Sequence, residues 1–164
     1  MKYPILLPLA MFLMLACGPR KEVVKATCAE AVTMMSRDFP YESTQFYLDE
    51  FTGEALLAID PGQSKSAAVA KAFPGPSCNY DVVLYGVGEN DGASSFSVAV
   101  NRELIGDFIL PLSKQPSETG DKFNLTVKGV RLRKGDLITV TGRVGTDGKE
   151  FSRARWLKLR FVPR

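Results

Sequence analysis

From Tyr41 onward, short runs of β-branched and aromatic residues alternate with clusters of Gly, Pro, Asn and Asp. The runs 44–49, 53–59, 67–73, 80–87, 95–101, 103–110, 122–127, 136–144 and 154–162 have the composition of strands. Turn signals separate them: Asp60-Pro61-Gly62, Pro74-Gly75-Pro76, Asn90-Asp91-Gly92, Thr119-Gly120-Asp121, Lys134-Gly135-Asp136 and Asp147-Gly148. Phe96, Val98 and Val100 share one face, with Ser95, Ser97 and Ala99 opposite; Ile138, Val140 and Val144 oppose Thr139 and Thr141. In the closing run, a strict period of two sets Leu157, Leu159 and Phe161 against Trp156, Lys158 and Arg160. The lone tryptophan is thereby expected on an outer, basic face. The pattern predicts an all-β domain over 43–164, a sandwich or jelly roll of about eight or nine antiparallel strands.

Upstream the periodicity changes. Val24, Cys28, Ala31 and Met35 follow helical spacing, which predicts a helix over 20–38 that Phe39-Pro40 ends. Residues 17–42 are expected to form a tether and this docked helix. Ahead of them, Lys2 precedes an apolar run from Ile5 to Ala16, too short to span a bilayer, which reads as a signal peptide over 1–16. Leu13-Met14-Leu15-Ala16-Cys17 resembles a bacterial lipobox. The resemblance implies cleavage before Cys17, acylation of that cysteine and stable membrane anchoring through more than one chain. Gly18, rather than Asp, follows Cys17, so the outer membrane is favoured over the inner in a cell with two.

The cysteine count then gains meaning. With Cys17 lipidated, Cys28 and Cys78 remain, and outside the cytoplasm such a pair is expected to form a disulfide. It would close a loop of roughly 50 residues and contribute about 3–4 kcal/mol on the chain-entropy model.

Composition narrows the chemistry. The 164 residues are 45% hydrophobic and 24% charged, as expected of one globular domain. The histidine count is zero, which excludes Ser-His-Asp triads, Cys-His dyads and His-bearing zinc sites. The formal charge of +3 is spread along the chain, without the concentrated basic patch of a nucleic-acid binder.

The order of several segments carries a further resemblance. Tyr80-Asp81-Val82-Val83-Leu84-Tyr85 leads into the Glu89-Asn90-Asp91-Gly92 turn, then Ser95–Val100 with Asn101, then Ile105-Gly106-Asp107-Phe108, and finally Glu150-Phe151-Ser152-Arg153-Ala154-Arg155-Trp156. This order resembles carbohydrate-binding-module-like jelly rolls of the galactose-binding-domain-like type. It departs from them at Asn79 and Arg102, where Gly is usual. The resemblance implies sugar recognition by loops or a sheet face, and in many relatives a structural calcium. Trp156 stands where an acidic calcium ligand often sits, so no metal or cofactor is expected at that position. The oxygen-rich 89–92 turn leaves calcium at Glu89 and Asp91 as the remaining option.

If the jelly roll is right, Glu89, Asp91, Glu150, Arg153 and Arg155 lie near one another. Arginine forks and carboxylates suit hydroxyls or acidic sugars, and equally suit a structural ion-pair cluster. Trp156 would stack a sugar ring, and Asn101 would orient a ligand or simply set a turn. The leading expectation is a non-catalytic, lipid-anchored glycan or envelope-polymer binder. An envelope-assembly lipoprotein with a protein partner is the alternative. A His-free glycosidase using Glu89 and Glu150 is a lesser one. An OB-type barrel, suggested by the run 134–144, is disfavoured by the strand number.

Overall fold

The computed structural model describes residues 28–115 and 119–164. The signal peptide, Cys17 and residues 20–27 of the expected helix therefore lie outside the described residues. Ten strands follow in chain order: β1 (Val32–Met35), β2 (Phe46–Phe51), β3 (Glu54–Ile59), β4 (Ser66–Ala72), β5 (Cys78–Gly88), β6 (Ser95–Val100), β7 (Glu103–Ile109), β8 (Asp121–Leu132), β9 (Leu137–Arg143) and β10 (Arg155–Pro163). One sheet runs β2-β3-β10-β5-β8, with β1 also on β10; the other runs β4-β9-β6-β7. All pairings are antiparallel.

The two sheets close over one apolar layer. Alternating residues of β5 (Tyr80, Val82, Leu84), β6 (Phe96, Val98, Val100), β9 (Ile138, Val140) and β10 (Leu159, Phe161) meet there. These are the inward sets that the alternation predicts for β6 and β9. Burial of this apolar area is the main stabilising term of such a sandwich.

Two expectations are corrected. The first is the helix at 20–38. Within the described part, Val32–Met35 is a strand and Ser36–Asp38 a single 3₁₀ turn. The helical spacing of Cys28, Ala31 and Met35 is coincidental. Residues 32–35 also satisfy a period of two, with Met34 buried in the core and Met35 on the opposite face. Two β-branched residues, Val32 and Thr33, favour the strand. The strand also has an edge to pair with. β3 reaches β10 only at Trp156↔Leu57, and β1 takes the same edge further along, from Met35↔Lys158 to Val32↔Phe161. The sandwich thus begins before residue 43.

The second correction concerns Trp156. It is 0% exposed and packs edge-on against Phe39 and Phe46, at centroid distances of 5.2 and 6.5 Å. The register between β10 and β5 explains the inversion. Trp156 faces Gly86 and Lys158 faces Tyr85, so Leu157 is an extra residue in a β-bulge. Beyond the bulge the phase resumes with Leu159 and Phe161 inside. Trp156 therefore joins them, and Leu157, 5% exposed, points to the other side.

That other side carries its own small apolar layer, built of Phe51, Leu56, Ala58, Val87 and Leu157 with Met35, Tyr47 and Tyr85 against it. Cations cover its rim: Lys158 lies 4.8 Å from the Tyr85 ring and Lys122 is 5.8 Å from that of Phe51. The expected disulfide joins Cys28 to Cys78, with Cα atoms 6.3 Å apart, tying the segment before β1 to the start of β5.

Candidate functional site

The residues that carry polar chemistry gather where β5 ends, β10 begins and β2 and β3 meet. Ala154 has left-handed geometry at φ 45°, uncommon for a non-glycine residue, between Arg153 and Arg155. Its N–H donates to Ser94 Oγ at 3.2 Å, and the Arg153 carbonyl accepts from Ile59 N–H at 2.6 Å. The backbone of this corner is thus fixed to both sheets.

Both arginines turn to Glu89, which directly follows β5 and is 2% exposed. Its Oε2 accepts the Arg153 N–H at 2.7 Å and its Oε1 accepts Arg153 Nε at 2.9 Å. Arg155 Nε lies 2.6 Å from the same Oε1. Arg155 is 1% exposed and stacks 5.0 Å from the Phe51 ring. Gly120 closes over it: at φ 66°, a Cβ there would meet Gly88 O at 2.6 Å and Arg155 Nη2 at 2.9 Å. Arg153 Nη1 also lies 3.8 Å from Asp49 Oδ2.

Burial pushes the Glu89 carboxyl up, against the lowering pull of the Arg153 N–H and of both guanidiniums. Burial likewise pulls Arg155 down, with Glu89 opposing it. For Arg153, Glu89 and Asp49 outweigh burial and hold the guanidinium above its ordinary value. Among the described residues, Arg155 Nη2, Asp49 Oδ2, Asp91 Oδ1 and Trp156 Nε1 are buried without a hydrogen-bond partner.

Arg153 is the member of this network that lines a cleft. Its side chain, 29% exposed, lines an open cleft of about 320 Å³ with Thr44, Gln45, Tyr47, Asp60 and Gln63. Local hydrogen bonds shape both walls. Thr44 Oγ1 donates to Tyr41 O at 2.8 Å and accepts Phe46 N–H at 3.0 Å. Asp60 Oδ1 accepts Gly62 N–H at 2.8 Å, while Asp60 O accepts the N–H groups of Gln63 and Ser64. The Tyr47 hydroxyl is pushed up by burial and by Asp49.

The expected constellation is thus assembled in part. Glu89, Arg153 and Arg155 form one network. Asp91 sits beside them, its carbonyl accepting Asp147 N–H at 2.8 Å. Glu150 does not join. It is exposed in a turn where Asp147 Oδ1 accepts its N–H at 2.9 Å and Thr146 Oγ1 donates to its carbonyl at 2.6 Å. Glu89 and Glu150 therefore do not face one another across the cleft, and neither lines it. Asn101 lies at the other end of β6. At φ 49° its Nδ2 donates to Asp136 Oδ1 and its Oδ1 accepts Leu137 N–H, both at 2.9 Å, which is the turn-setting role. Trp156, sealed in the core, offers no platform to a sugar ring.

The residues also bear on calcium. Trp156 fills the expected ligand position with a buried indole, and Glu89 is committed to two arginines. Among the described residues no group of three or more Asp, Glu or Cys side chains gathers as metal ligands. Of the positions the resemblance implies, Trp156 offers no oxygen and Glu89 is already paired. The residues that pattern reading missed are Gln45, Tyr47, Asp49, Asp60 and Gln63. Asp60-Pro61-Gly62 was legible as a turn, but nothing in the sequence signals that it walls a cleft with Arg153.

The two-sheet architecture is shared with solved carbohydrate-binding modules. The chain superposes on the C-terminal family 6 carbohydrate-binding module of a marine laminarinase from Zobellia galactanivorans, with a TM-score of 0.57 at 11% identity, over 81% of this chain and 99% of that one. A family 35 carbohydrate-binding module from Clostridium thermocellum gives 0.56 at 11%, over 83% and 100%. A family 6 module from Clostridium stercorarium, solved with cellobiose, gives 0.58 at 10%, over 81% and 94%. At these identities the likeness is one of fold. By sequence, the chain is 42% identical over 128 residues to uncharacterized protein P23 of Formosa agariphila. The match covers 78% of this chain and 30% of P23, so the chain spans under a third of that relative's length. No protein-family model matches the chain.

Proposed function

We propose that the sandwich is a non-catalytic glycan-binding module and that the cleft around Arg153 is its contact surface. The observation that carries this reading is an open cleft, lined by polar and apolar side chains alike, whose cation is anchored from behind. Arg153 is held by Glu89 and Asp49, and Arg155 braces Glu89 in turn. A guanidinium pre-positioned in this way loses little side-chain entropy on binding. Gln45, Gln63 and Asp60 add amide and carboxylate groups suited to sugar hydroxyls, and Tyr47 adds a ring. The jelly-roll fold shared with carbohydrate-binding modules supports the same reading.

On this proposal the module works outside the cytoplasm, anchored through an acylated Cys17. Two features support that: the lipobox-like run ending at Cys17, and a disulfide of a kind that persists in oxidising compartments. Its ligand would be a glycan or envelope polymer near that surface.

A glycan array followed by calorimetric titration tests the binding claim. Arg153→Gln and Tyr47→Ala should each weaken affinity about tenfold, as loss of a charged hydrogen bond or a stacking ring does. Trp156→Phe should leave affinity unchanged. A correctly folded protein that binds no glycan, yet co-purifies with an envelope protein, would replace this reading with the assembly role. Labelling with palmitate, lost in Cys17→Ser, tests the anchor.

A further inference from the structure

The opposite end of the sandwich holds a second cleft, of about 240 Å³, between the β6–β7 turn, the end of β8 and the β8–β9 turn. Asn101 and Arg102 are both left-handed, at φ 49° and 75°, which makes the β6–β7 connection tight. The Asn101 side chain then bridges to Asp136 and to Leu137 N–H, clamping the two turns together. Asp136 is fully engaged: Oδ1 accepts Asn101 Nδ2, and Oδ2 accepts the Arg133 N–H at 2.7 Å. These bonds hold its carboxyl below the usual range.

Arg131 and Arg133, two residues apart, line this cleft with Asn101, Glu103 and Asp136. Arg102 and Lys134 flank it in sequence, so four cations stand against two carboxylates. Among the described residues, neither the Arg131 nor the Arg133 guanidinium makes an ion pair or hydrogen bond. Glu103 shares the rim without closing a salt bridge to either. The contrast with the first cleft is direct: there the arginine is paired with the buried Glu89 and the half-buried Asp49, whereas here two exposed arginines line the cleft without closing an ion pair. Paired guanidiniums so placed suit a planar or tetrahedral oxyanion.

We infer that this end of the module is a separate binding site for an oxyanion borne on a glycan, a uronate carboxylate or a sulfate ester. It is independent of the Arg153 cleft, being separated from it by the length of β6 and β9, roughly 20 Å.

The test is titration of the purified chain at constant ionic strength with digalacturonate, with a sulfated disaccharide and with sodium sulfate, followed by amide shifts. Saturable shifts confined to residues 101–103 and 131–136 are expected with at least one saccharide. The combined Arg131→Gln and Arg133→Gln variant should weaken that binding about tenfold or more. Arg153→Gln should leave it unchanged. Saturation by digalacturonate alone assigns the carboxylate, and saturation by the sulfated disaccharide alone assigns the sulfate ester. Shifts with sodium sulfate alone, no saturable shift at these residues, or binding indifferent to loss of both arginines would overturn the inference. Loss of this binding in Arg153→Gln would overturn its independence. Because Arg153→Gln reports on the first cleft alone, failure of one site is distinguishable from failure of the other.

Discussion

Replacing Glu89 by Gln should be the most damaging polar substitution in this domain. The change is nearly isosteric, so it removes charge with little loss of volume. It leaves Arg155, 1% exposed, with no carboxylate within ion-pair distance, and weakens two hydrogen bonds to Arg153. Breaking a buried ion pair by removing one partner costs about 3–5 kcal/mol, because the remaining charge is stranded. In a domain of this size that corresponds to a melting temperature lower by roughly 10 °C or more. The partner variant sharpens the test. Glu89→Leu combined with Arg155→Met removes both buried charges, and should recover much of the loss, since apolar substitutes for buried pairs are often neutral. Denaturant unfolding of wild type, both single variants and the double variant gives the coupling energy. A loss below about 1 kcal/mol in Glu89→Gln would show that the network is solvated and does not brace Arg153, as surface pairs behave.

Other predictions follow from the corrected geometry. Trp156→Ala should cost about 3–5 kcal/mol through an unfilled core cavity, read by denaturant midpoint, while native Trp156 fluorescence should be blue-shifted and resist iodide quenching. Reduction of Cys28–Cys78, or Cys28→Ser with Cys78→Ser, should lower stability by about 2–5 kcal/mol, measured by unfolding with and without dithiothreitol. The depressed Asp136 carboxyl, held down first by Asn101 and then by the Arg133 N–H, binds its proton less readily folded than unfolded. Its stabilisation is therefore present above the ordinary value near pH ~4 and is lost as pH falls through the lower folded value. Asn101→Ala should shift the acid-unfolding midpoint upward, and an unchanged midpoint would refute the assignment.

The strands after residue 43 are legible because alternation and turn chemistry agree. Phe96, Val98 and Val100 could face one way only once Asn90-Asp91-Gly92 and Asn101 bounded them. The first strand is not legible, because the apolar positions in 24–35 satisfy helical spacing and Val32–Met35 also satisfies a period of two. Only the free edge of β10 decides between them, and that edge exists only in the folded sheet. Trp156 was misplaced for a related reason. A bulge leaves no local mark in Arg155-Trp156-Leu157-Lys158, where every residue type suits a regular strand. The ionic network was half visible, since Glu89 and the Arg153/Arg155 pair stand out as charges beside turns. The cleft residues Gln45 and Gln63 did not stand out, because an amide carries no pattern until the walls meet.

The bulge at Leu157 makes the closing strand a junction between two phases. Residues before it and residues after it each follow a strict alternation, but the two alternations are offset by one position. Deleting Leu157 would leave Trp156 and Leu159 two positions apart, both on the core face of a regular strand. It would also keep the pairing of Trp156 with Gly86, Lys158 with Tyr85 and Leu159 with Leu84. The extra residue is therefore not needed for the core or for the register with β5. What it adds is an apolar side chain on the other face, where Leu157 packs with Phe51, Leu56, Ala58 and Val87. The bulge lets one closing strand place consecutive residues, Trp156 and Leu157, in two different apolar layers without losing its phase beyond them.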